Sequence, residues 1–271
     1  MIYCVFLLMV FLFCMTLFMF MIAPGRHHRA ENWKGACFAH RGLHDDQIPE
    51  NTIAAFRRAR DAGFGIELDV QVSKDGRLVV FHDLTPERFA DEYRPITELT
   101  FDELRAIDLG GGHRIPTFEE VLQCVGGKVP MLVELKNCRK HNTELCEKTM
   151  AALRGYDGEY IMESFNPLIL RWLKKHEPEV IRGQLVGSRA SYLEYMGRSL
   201  AYILSSLSLN FLGRPDFVAY DVSAQFRAPK VQRKLFHIPM AAWTVRDDET
   251  YEDCVSRGEM PIFEGFIPKS A

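Results

Sequence analysis

The chain has 271 residues, and about 250 remain after an apolar leader is set aside, which is ample for one domain with a sizeable core. Its net charge of −3 and the lack of any long run of Lys or Arg exclude the basic face of a nucleic-acid-binding protein, so no nucleic-acid partner is expected. Five of the seven cysteines lie outside the leader without a CxxC pair, which argues against a disulfide framework or a zinc site.

The leader has the character of a membrane-spanning helix. Ile2 to Ala23 contains no charged side chain, and a helix of this length spans roughly 30 Å, the thickness of the bilayer's hydrocarbon core. A cleaved signal peptide is the alternative, but it would begin with basic residues and end in a small-x-small site. We expect residues 1–24 to be a transmembrane anchor and residues 25–35 a juxtamembrane linker. Cations follow the anchor directly, so the positive-inside rule predicts a single-pass membrane protein with its folded part on the cytoplasmic side.

Residues 36–271 are expected to form one domain in which strands and helices alternate. The short apolar runs are residues 36–40, 65–72, 78–82, 130–135, 159–165, 180–186, 217–222, 239–245 and 262–266. Helical spacing occupies most of the gaps, including one long stretch at residues 192–206, and Thr117 with Glu120 forms a capping box. Residues 84–114 lack periodicity and are expected to be an irregular, short insertion.

This alternation predicts a parallel sheet covered by helices, and about eight strands is the count of an α/β fold of the (β/α)8 TIM-barrel type. An open doubly wound sheet is the alternative, but it would need a glycine-rich phosphate loop after the first strand. In a barrel the chemistry lies at the carboxyl-terminal ends of the strands.

Three carboxylates lie within these strands. Glu67 and Asp69 are two residues apart and therefore share one face, and Glu134 stands between Val133 and Leu135. A charged side chain in an apolar strand is costly unless it is paired or binds a metal. The three oxygen donors suit Mg²⁺ or Ca²⁺ as cofactor. An ion-pair network is the alternative.

Two histidines and two cations fall at the same strand ends. His40 and His82 suit general acid and base catalysis because imidazole titrates near neutral pH. Arg41 and Lys136 suit a phosphate group, and they are also the partners that the ion-pair alternative would use. A metal site with two cations and two histidines favours phosphoryl chemistry over carbonyl chemistry.

Several motifs occur in a fixed order. They are His40-Arg41-Gly42, Pro49-Glu50-Asn51-Thr52, Glu67-Leu68-Asp69-Val70, Val79-Val80-Phe81-His82-Asp83, Pro116-Thr117-Phe118-Glu119-Glu120-Val121, Glu134-Leu135-Lys136 and Trp243-Thr244-Val245. From about residue 38 to the C-terminus, the set resembles the glycerophosphodiester phosphodiesterase family, as a membrane-anchored, bacterial-type member. The C-terminal end departs from the family pattern, because residues 262–266 replace its Gly-Ile-x-Thr-Asp-x-Pro close.

The resemblance implies roles for the motif residues. Glu67, Asp69 and Glu134 would hold the metal, and His40 and His82 would be the acid and base. Arg41 and Lys136 would contact the substrate phosphate. It implies further residues beside the pocket, namely Glu50, Asn51, Phe165 and Trp243, and an insertion at the barrel mouth whose shortness predicts an open site.

The expected function is hydrolysis of a glycerophosphodiester to glycerol 3-phosphate and an alcohol. One alternative keeps the chemistry but acts on lipid headgroups, as a lysophospholipase D does. Another is a non-catalytic barrel that binds anionic headgroups, which the filled metal and acid/base positions disfavour. The membrane is an expected partner through the N-terminal helix, and no obligate protein partner is inferred.

Overall fold

The computed structural model describes residues 2–224 and 227–269. Its first element, α1 (Ile2–Ile22), is long and apolar enough to cross a membrane, a property that it shares with signal sequences. Only the last turn of this helix contacts the rest of the chain, since Ile22 is its one buried residue. Which side of a membrane the folded part occupies stays a prediction.

The predicted barrel is confirmed. The strands are β1 (Phe38–Ala39), β2 (Gly65–Val72), β3 (Leu78–Val80), β4 (Met131–Leu135), β5 (Tyr160–Ser164), β6 (Arg182–Val186), β7 (Phe217–Asp221), β8 (Met240–Val245) and β9 (Met260–Phe263). All except β3 pair in parallel around a ring, and β1 closes it by pairing with both β2 and β9. The run at residues 78–82 is not a barrel strand, because β3 turns back antiparallel onto β2.

The remaining helices are α2 (Ile53–Asp61), α3 (Phe101–Ala106), α4 (Phe118–Val125), α5 (Asn142–Leu153), α6 (Pro167–His176), α7 (Arg189–Tyr195), α8 (Arg198–Ser205), α9 (Asn210–Gly213), α10 (Arg227–Phe236) and α11 (Asp248–Ser256). The capping box before α4 is confirmed. The single helix expected at residues 192–206 was wrong. It is divided between α7 and α8 at Met196, whose extended backbone ends α7.

The insertion is more regular than expected. It contains α3, which begins with its own capping box of Thr100 and Glu103, and a 3-10 turn at Ile96–Glu98. Apolar residues of the insertion pack with Val79 of β3 and Phe81 into a small core of their own. The insertion is therefore a folded unit beside the barrel mouth, held by burial of apolar area.

The segment expected to be a juxtamembrane linker packs against the barrel. His27–Trp33 form a 3-10 helix, and Ala30 is buried in the same cluster as Phe38, at the start of β1, and Phe217, at the start of β7. The Trp33 ring stacks on Phe38 with centroids 6.3 Å apart. These contacts close the amino-terminal end of the barrel, which we call the base, and leave the carboxyl-terminal end, the mouth, for the polar residues.

Candidate active site

Three carboxylates from neighbouring strands meet inside the mouth. The sheet register places Asp69 of β2 beside Glu134 of β4, and Glu67 shares the inward face of β2. One oxygen of each carboxylate lies within 4.8 Å of the other two, and all three residues are buried. Three hard oxygen donors at this spacing fit one divalent cation.

The two cations expected to contact phosphate, Arg41 and Lys136, lie against these acids, as the ion-pair alternative would also place them. The Lys136 Nζ lies 3.2 Å from Asp69 Oδ1 and 3.0 Å from Glu134 Oε1, and Arg41 Nε lies 3.5 Å from Asp69 Oδ2. The register adds a fourth buried carboxyl, Glu163 of β5, beside Glu134. Four carboxyl groups thus face Arg41 and Lys136, which leaves a formal negative excess that a divalent ion would offset.

The crowding of acids is visible in their pKa values. Burial, followed by repulsion from Asp69 and Glu134, raises the pKa of Glu67 well above its usual range. Burial also disfavours ionisation of Asp69, but Lys136, His82 and Arg41 outweigh it and hold the pKa of Asp69 well below its usual range. Burial raises the pKa of Glu163 strongly, with repulsion from Glu134 added. Without a cation the cluster therefore retains protons, which a bound divalent ion would displace.

The loop after β1 is shaped to reach these acids. Arg41 has φ of 54° and Gly42 has φ of 83°, and a Cβ on Gly42 would lie 2.9 Å from the backbone of Ala55. In this conformation the Arg41 amide donates to Glu67 Oε2 at 2.9 Å, and its guanidinium donates to Glu50 Oε1 at 2.9 Å. The close approach explains why glycine follows His40-Arg41.

Glu50 and Asn51 support this loop from behind. The Asn51 side chain donates from Nδ2 to Asp69 Oδ2 at 2.8 Å, and the Asn51 backbone N–H donates to the Arg41 carbonyl at 2.9 Å. Glu50 accepts hydrogen bonds from Arg41 and from Arg88, which lies in the insertion. Asn51, with Asp69 and Lys136, lies behind the surface of the cavity, whereas Glu50 lines it.

His40 faces the acids with a defined orientation. Its Nδ1 lies 2.5 Å from Glu264 Oε2, and its Nε2 lies 4.0 Å from Glu67 Oε2. The bond to His40 lowers the pKa of Glu264 to about 2, so the carboxylate only accepts and Nδ1 carries the proton. Burial lowers the pKa of His40, while Glu264 opposes that shift, and the neutral ring leaves a lone pair on Nε2.

His82 has a similar carboxylate partner. Its Nδ1 lies 2.8 Å from Asp83 Oδ1, and Asp83 in turn accepts from Arg88 Nε at 2.8 Å. Burial opposes ionisation of Asp83, but the bonds from His82 and Arg88 lower its pKa to about 2. The insertion therefore contributes a cation that orients the second histidine.

A cavity of about 820 Å³ opens above these groups. Both histidines and Arg41 line it, as do Glu67, Glu134 and Glu163. The Phe165 ring packs edge-on against Trp243 at 5.8 Å and against Tyr192 at 6.4 Å, and all three rings line one wall. Within the described part of the chain, the buried Trp243 Nε1 has no hydrogen-bond partner.

Several residues of this cavity were not predicted from the sequence, among them Glu163, Glu264, Arg88 and Tyr192. Glu163 could have been found, because it is a charged residue between Met162 and Ser164 in an apolar strand, the signal that identified Glu134. Glu264, Arg88 and Tyr192 had no such signal, since Glu264 follows a strand, Arg88 lies in the insertion and Tyr192 lies in a helix. Their places depend on tertiary packing.

Known proteins are similar to this chain in sequence and fold. The model of the glycerophosphoryl diester phosphodiesterase family matches residues 40–266, which contain the motifs and the cavity. The chain belongs to the glycerophosphoryl diester phosphodiesterase family. It is therefore a phosphodiesterase, and the family relation supports hydrolysis of glycerophosphodiesters.

Relatives of this phosphodiesterase are found in bacteria and animals. The chain is 39% identical over 163 residues to a glycerophosphodiester phosphodiesterase of Caldanaerobacter subterraneus, covering 56% of this chain and 67% of that protein. It is 24% identical over 252 residues to glycerophosphodiester phosphodiesterase 1 of Bos taurus, covering 80% of this chain and 74% of that protein.

Solved structures have the same fold. A phosphodiesterase of Oleispira antarctica in complex with the product sn-glycerol-3-phosphate superposes with a TM-score of 0.70 at 24% identity, covering 87% of this chain and 94% of that chain. A glycerophosphodiester phosphodiesterase of Thermotoga maritima superposes with a TM-score of 0.62 at 25% identity, covering 84% and 94%. The barrel of this phosphodiesterase is thus the fold of solved structures named for this activity.

Proposed function

We propose that this phosphodiesterase cleaves glycerophosphodiesters to glycerol 3-phosphate and an alcohol in a metal-dependent reaction, with His40 and His82 as base and acid. The observation that carries the proposal is one cavity lined by both histidines and by two members of the carboxylate trio, which is Glu67, Asp69 and Glu134. General acid and base catalysis needs both groups within reach of one bound substrate, and the shared cavity supports this.

Glu67, Asp69 and Glu134 would hold the cation, Mg²⁺ or Ca²⁺, which when bound offsets charge on the non-bridging oxygens of the phosphodiester. Arg41 adds a fixed positive charge at the cavity wall, held there by Glu50. Lys136 contributes charge from behind the trio and keeps Asp69 ionised. These cations favour binding of a phosphate over a neutral ester.

His40 is the proposed base. Its proton sits on Nδ1, so Nε2 accepts the proton of the attacking oxygen, either of water or of the glycerol 2-hydroxyl. That oxygen forms a new bond to phosphorus while the bond to the departing alcohol breaks. His82, supported by Asp83, donates a proton to the alcohol oxygen as it leaves. Attack by the 2-hydroxyl gives a cyclic phosphate, which a second round with water opens to glycerol 3-phosphate.

One observation favours a lipid substrate as the second candidate. The wall formed by Phe165, Tyr192 and Met196 is apolar and contiguous with the cavity, so a monoacyl chain could lie along it. A lysophospholipase D reaction would use the same acid, base and cation.

The test measures glycerol 3-phosphate release from glycerophosphocholine by the full chain in detergent, with Mg²⁺, with Ca²⁺ and with EDTA. We expect metal-dependent release that EDTA abolishes and that Glu67→Ala reduces by more than about 100-fold, because residues that only support a metal ligand already contribute up to that factor. The matched control, Glu147→Ala, removes an exposed carboxylate from α5 and should retain full activity.

Full activity of Glu67→Ala, or release that survives EDTA after metal removal, would overturn the metal site. Choline release from lysophosphatidylcholine without any release from glycerophosphocholine would move the assignment to the lipid reaction. Binding of both compounds with turnover of neither would support a silent barrel.

A further inference from the structure

The base of the barrel holds the end of α1 through side chains. Gln232 of α10 donates to the Ile22 carbonyl at 2.7 Å, and Arg214 donates to the Ala23 carbonyl at 2.8 Å. The Gly25 amide donates to the Pro215 carbonyl at 2.8 Å. The last carbonyl groups of a helix lack intrahelical partners, and here the folded domain supplies them. The helix and the barrel are therefore joined by a cap and not by a free linker.

The direction of α1 follows from its exposure. Arg214 and Pro215 immediately precede β7, so the junction is at the base, at the opposite end of the barrel from the carboxylates. Residues 2–18 of α1 are exposed along their whole length. The helix thus leaves the base without folding back over the barrel, and a bilayer around it would meet the base first.

The two helices beside this junction carry one sign of charge. The sequences of α6 and α10 contain no Asp or Glu, and each helix carries basic side chains in its last turn, which is its basal end. We call the following residues the basal collar: Arg171, Lys174, Lys175, Arg214 and Lys234. Desolvation lowers the pKa of Lys174, and repulsion from Arg214, Arg182 and Arg171 lowers it further, as expected where cations crowd together.

Apolar side chains are interleaved with the collar. Phe211 and Leu212 of α9 line a groove of about 460 Å³ together with the cations of α6. Val231 and Leu235 of α10 are exposed beside Lys234. Phe211 also lies against Phe20 of α1, with ring centroids 6.1 Å apart. This mixture of cations and apolar groups around an apolar helix is typical of a membrane interface.

We propose that the basal collar binds the anionic phospholipid headgroups of the bilayer that α1 enters. The charge is complementary to an anionic leaflet, and the collar adjoins the helix whose insertion would bring it to that surface. Binding there directs the mouth away from the bilayer, toward soluble diesters. The proposal concerns a surface remote from the carboxylates, so it does not depend on the catalytic roles assigned above.

The experiment compares deuterium uptake of the full chain in nanodiscs of phosphatidylcholine alone with nanodiscs that also contain phosphatidylglycerol. We expect several-fold slower exchange in peptides spanning 171–177 and 230–238 when the anionic lipid is present, and unchanged exchange in 84–98 at the mouth. The slowing should disappear at about 1 M salt, where charges are screened beyond about 3 Å.

Charge reversal gives the matched variants. Lys175→Glu with Lys234→Glu should lose the lipid-dependent slowing, whereas Arg57→Glu with Lys74→Glu, two exposed cations away from the base, should keep it. Both double variants should hydrolyse glycerophosphocholine as the parent chain does, which shows that they fold. Equal exchange in the two lipids, slowing at 84–98 instead, or failure of the chain to remain in either nanodisc would overturn the proposal.

Discussion

On β4, Leu132 faces the barrel interior one layer below Glu134, and on β5 Ile161 lies below Glu163 in the same way. The two ends of one barrel therefore differ within two residues of a strand: the base is a layer of apolar side chains, and the mouth is a layer of buried acids. The base contributes favourable burial, whereas the acids oppose one another. This division separates stability from chemistry, and each end can be tested without the other.

The largest effect is expected at the mouth. His40→Ala and His82→Ala should each reduce turnover of glycerophosphocholine by about 1,000-fold, within the range of general acid or base catalysis. Both variants should unfold at the urea concentration of the parent, because neither side chain belongs to an apolar cluster. His176→Ala, an exposed histidine at the base, is the control and should retain activity. Full activity in either mouth variant would refute the assigned roles.

At the base we expect the converse, a loss of stability without a loss of turnover. Phe38 is fully buried and stacks on Trp33, so Phe38→Ala should lower the free energy of unfolding by about 3 kcal/mol, through lost burial and the cavity left behind. Urea denaturation measures this loss, and Tyr93→Ala, which truncates a ring that is 68% exposed, should change it little. Turnover by the folded fraction of Phe38→Ala should equal that of the parent. A specific loss of turnover would show that the two ends are coupled.

The sequence is more informative about the strands of the barrel than about the segments that connect them. The alternation of apolar runs and helices predicted the barrel, because strand and helix periods are local properties. The trio was predictable because Glu67, Asp69 and Glu134 are charged residues inside apolar strands, where chance placement is costly. The split at Met196 and the folding of the insertion were not predictable, since packing against other elements decides both.

Arg88 and Glu264 were missed for the same reason. Arg88 reaches Glu50 across 38 positions, and Glu264 reaches His40 across 224, so neither contact has a local sequence signal. The C-terminal residues 262–266 differ from the family pattern, but that difference did not predict the contact between Glu264 and His40. In the closed ring β9 lies beside β1, which brings Glu264 to the first histidine. Closure of the barrel is therefore what gives this residue its place at the mouth.

Glu264→Gln gives the smallest of the three effects and examines that placement most directly. We expect turnover to fall by about 10- to 100-fold, part of the full contribution of a general base, because glutamine still accepts a hydrogen bond from Nδ1 but carries no charge. Glu264 raises the pKa of His40 against the lowering effect of burial, so its neutralisation should lower that pKa further. The base works when it is unprotonated, and the acid limb of the pH profile of kcat/KM should therefore move to lower pH.

Glu264→Asp separates charge from reach. It keeps the carboxylate, so the acid limb should stay nearer the parent position even if turnover falls because the shorter side chain holds His40 less well. A residue with only a structural role would change the unfolding midpoint and leave the acid limb where it was. A shift of that limb to higher pH in Glu264→Gln would contradict the assignment, because loss of a nearby negative charge cannot stabilise a protonated imidazole.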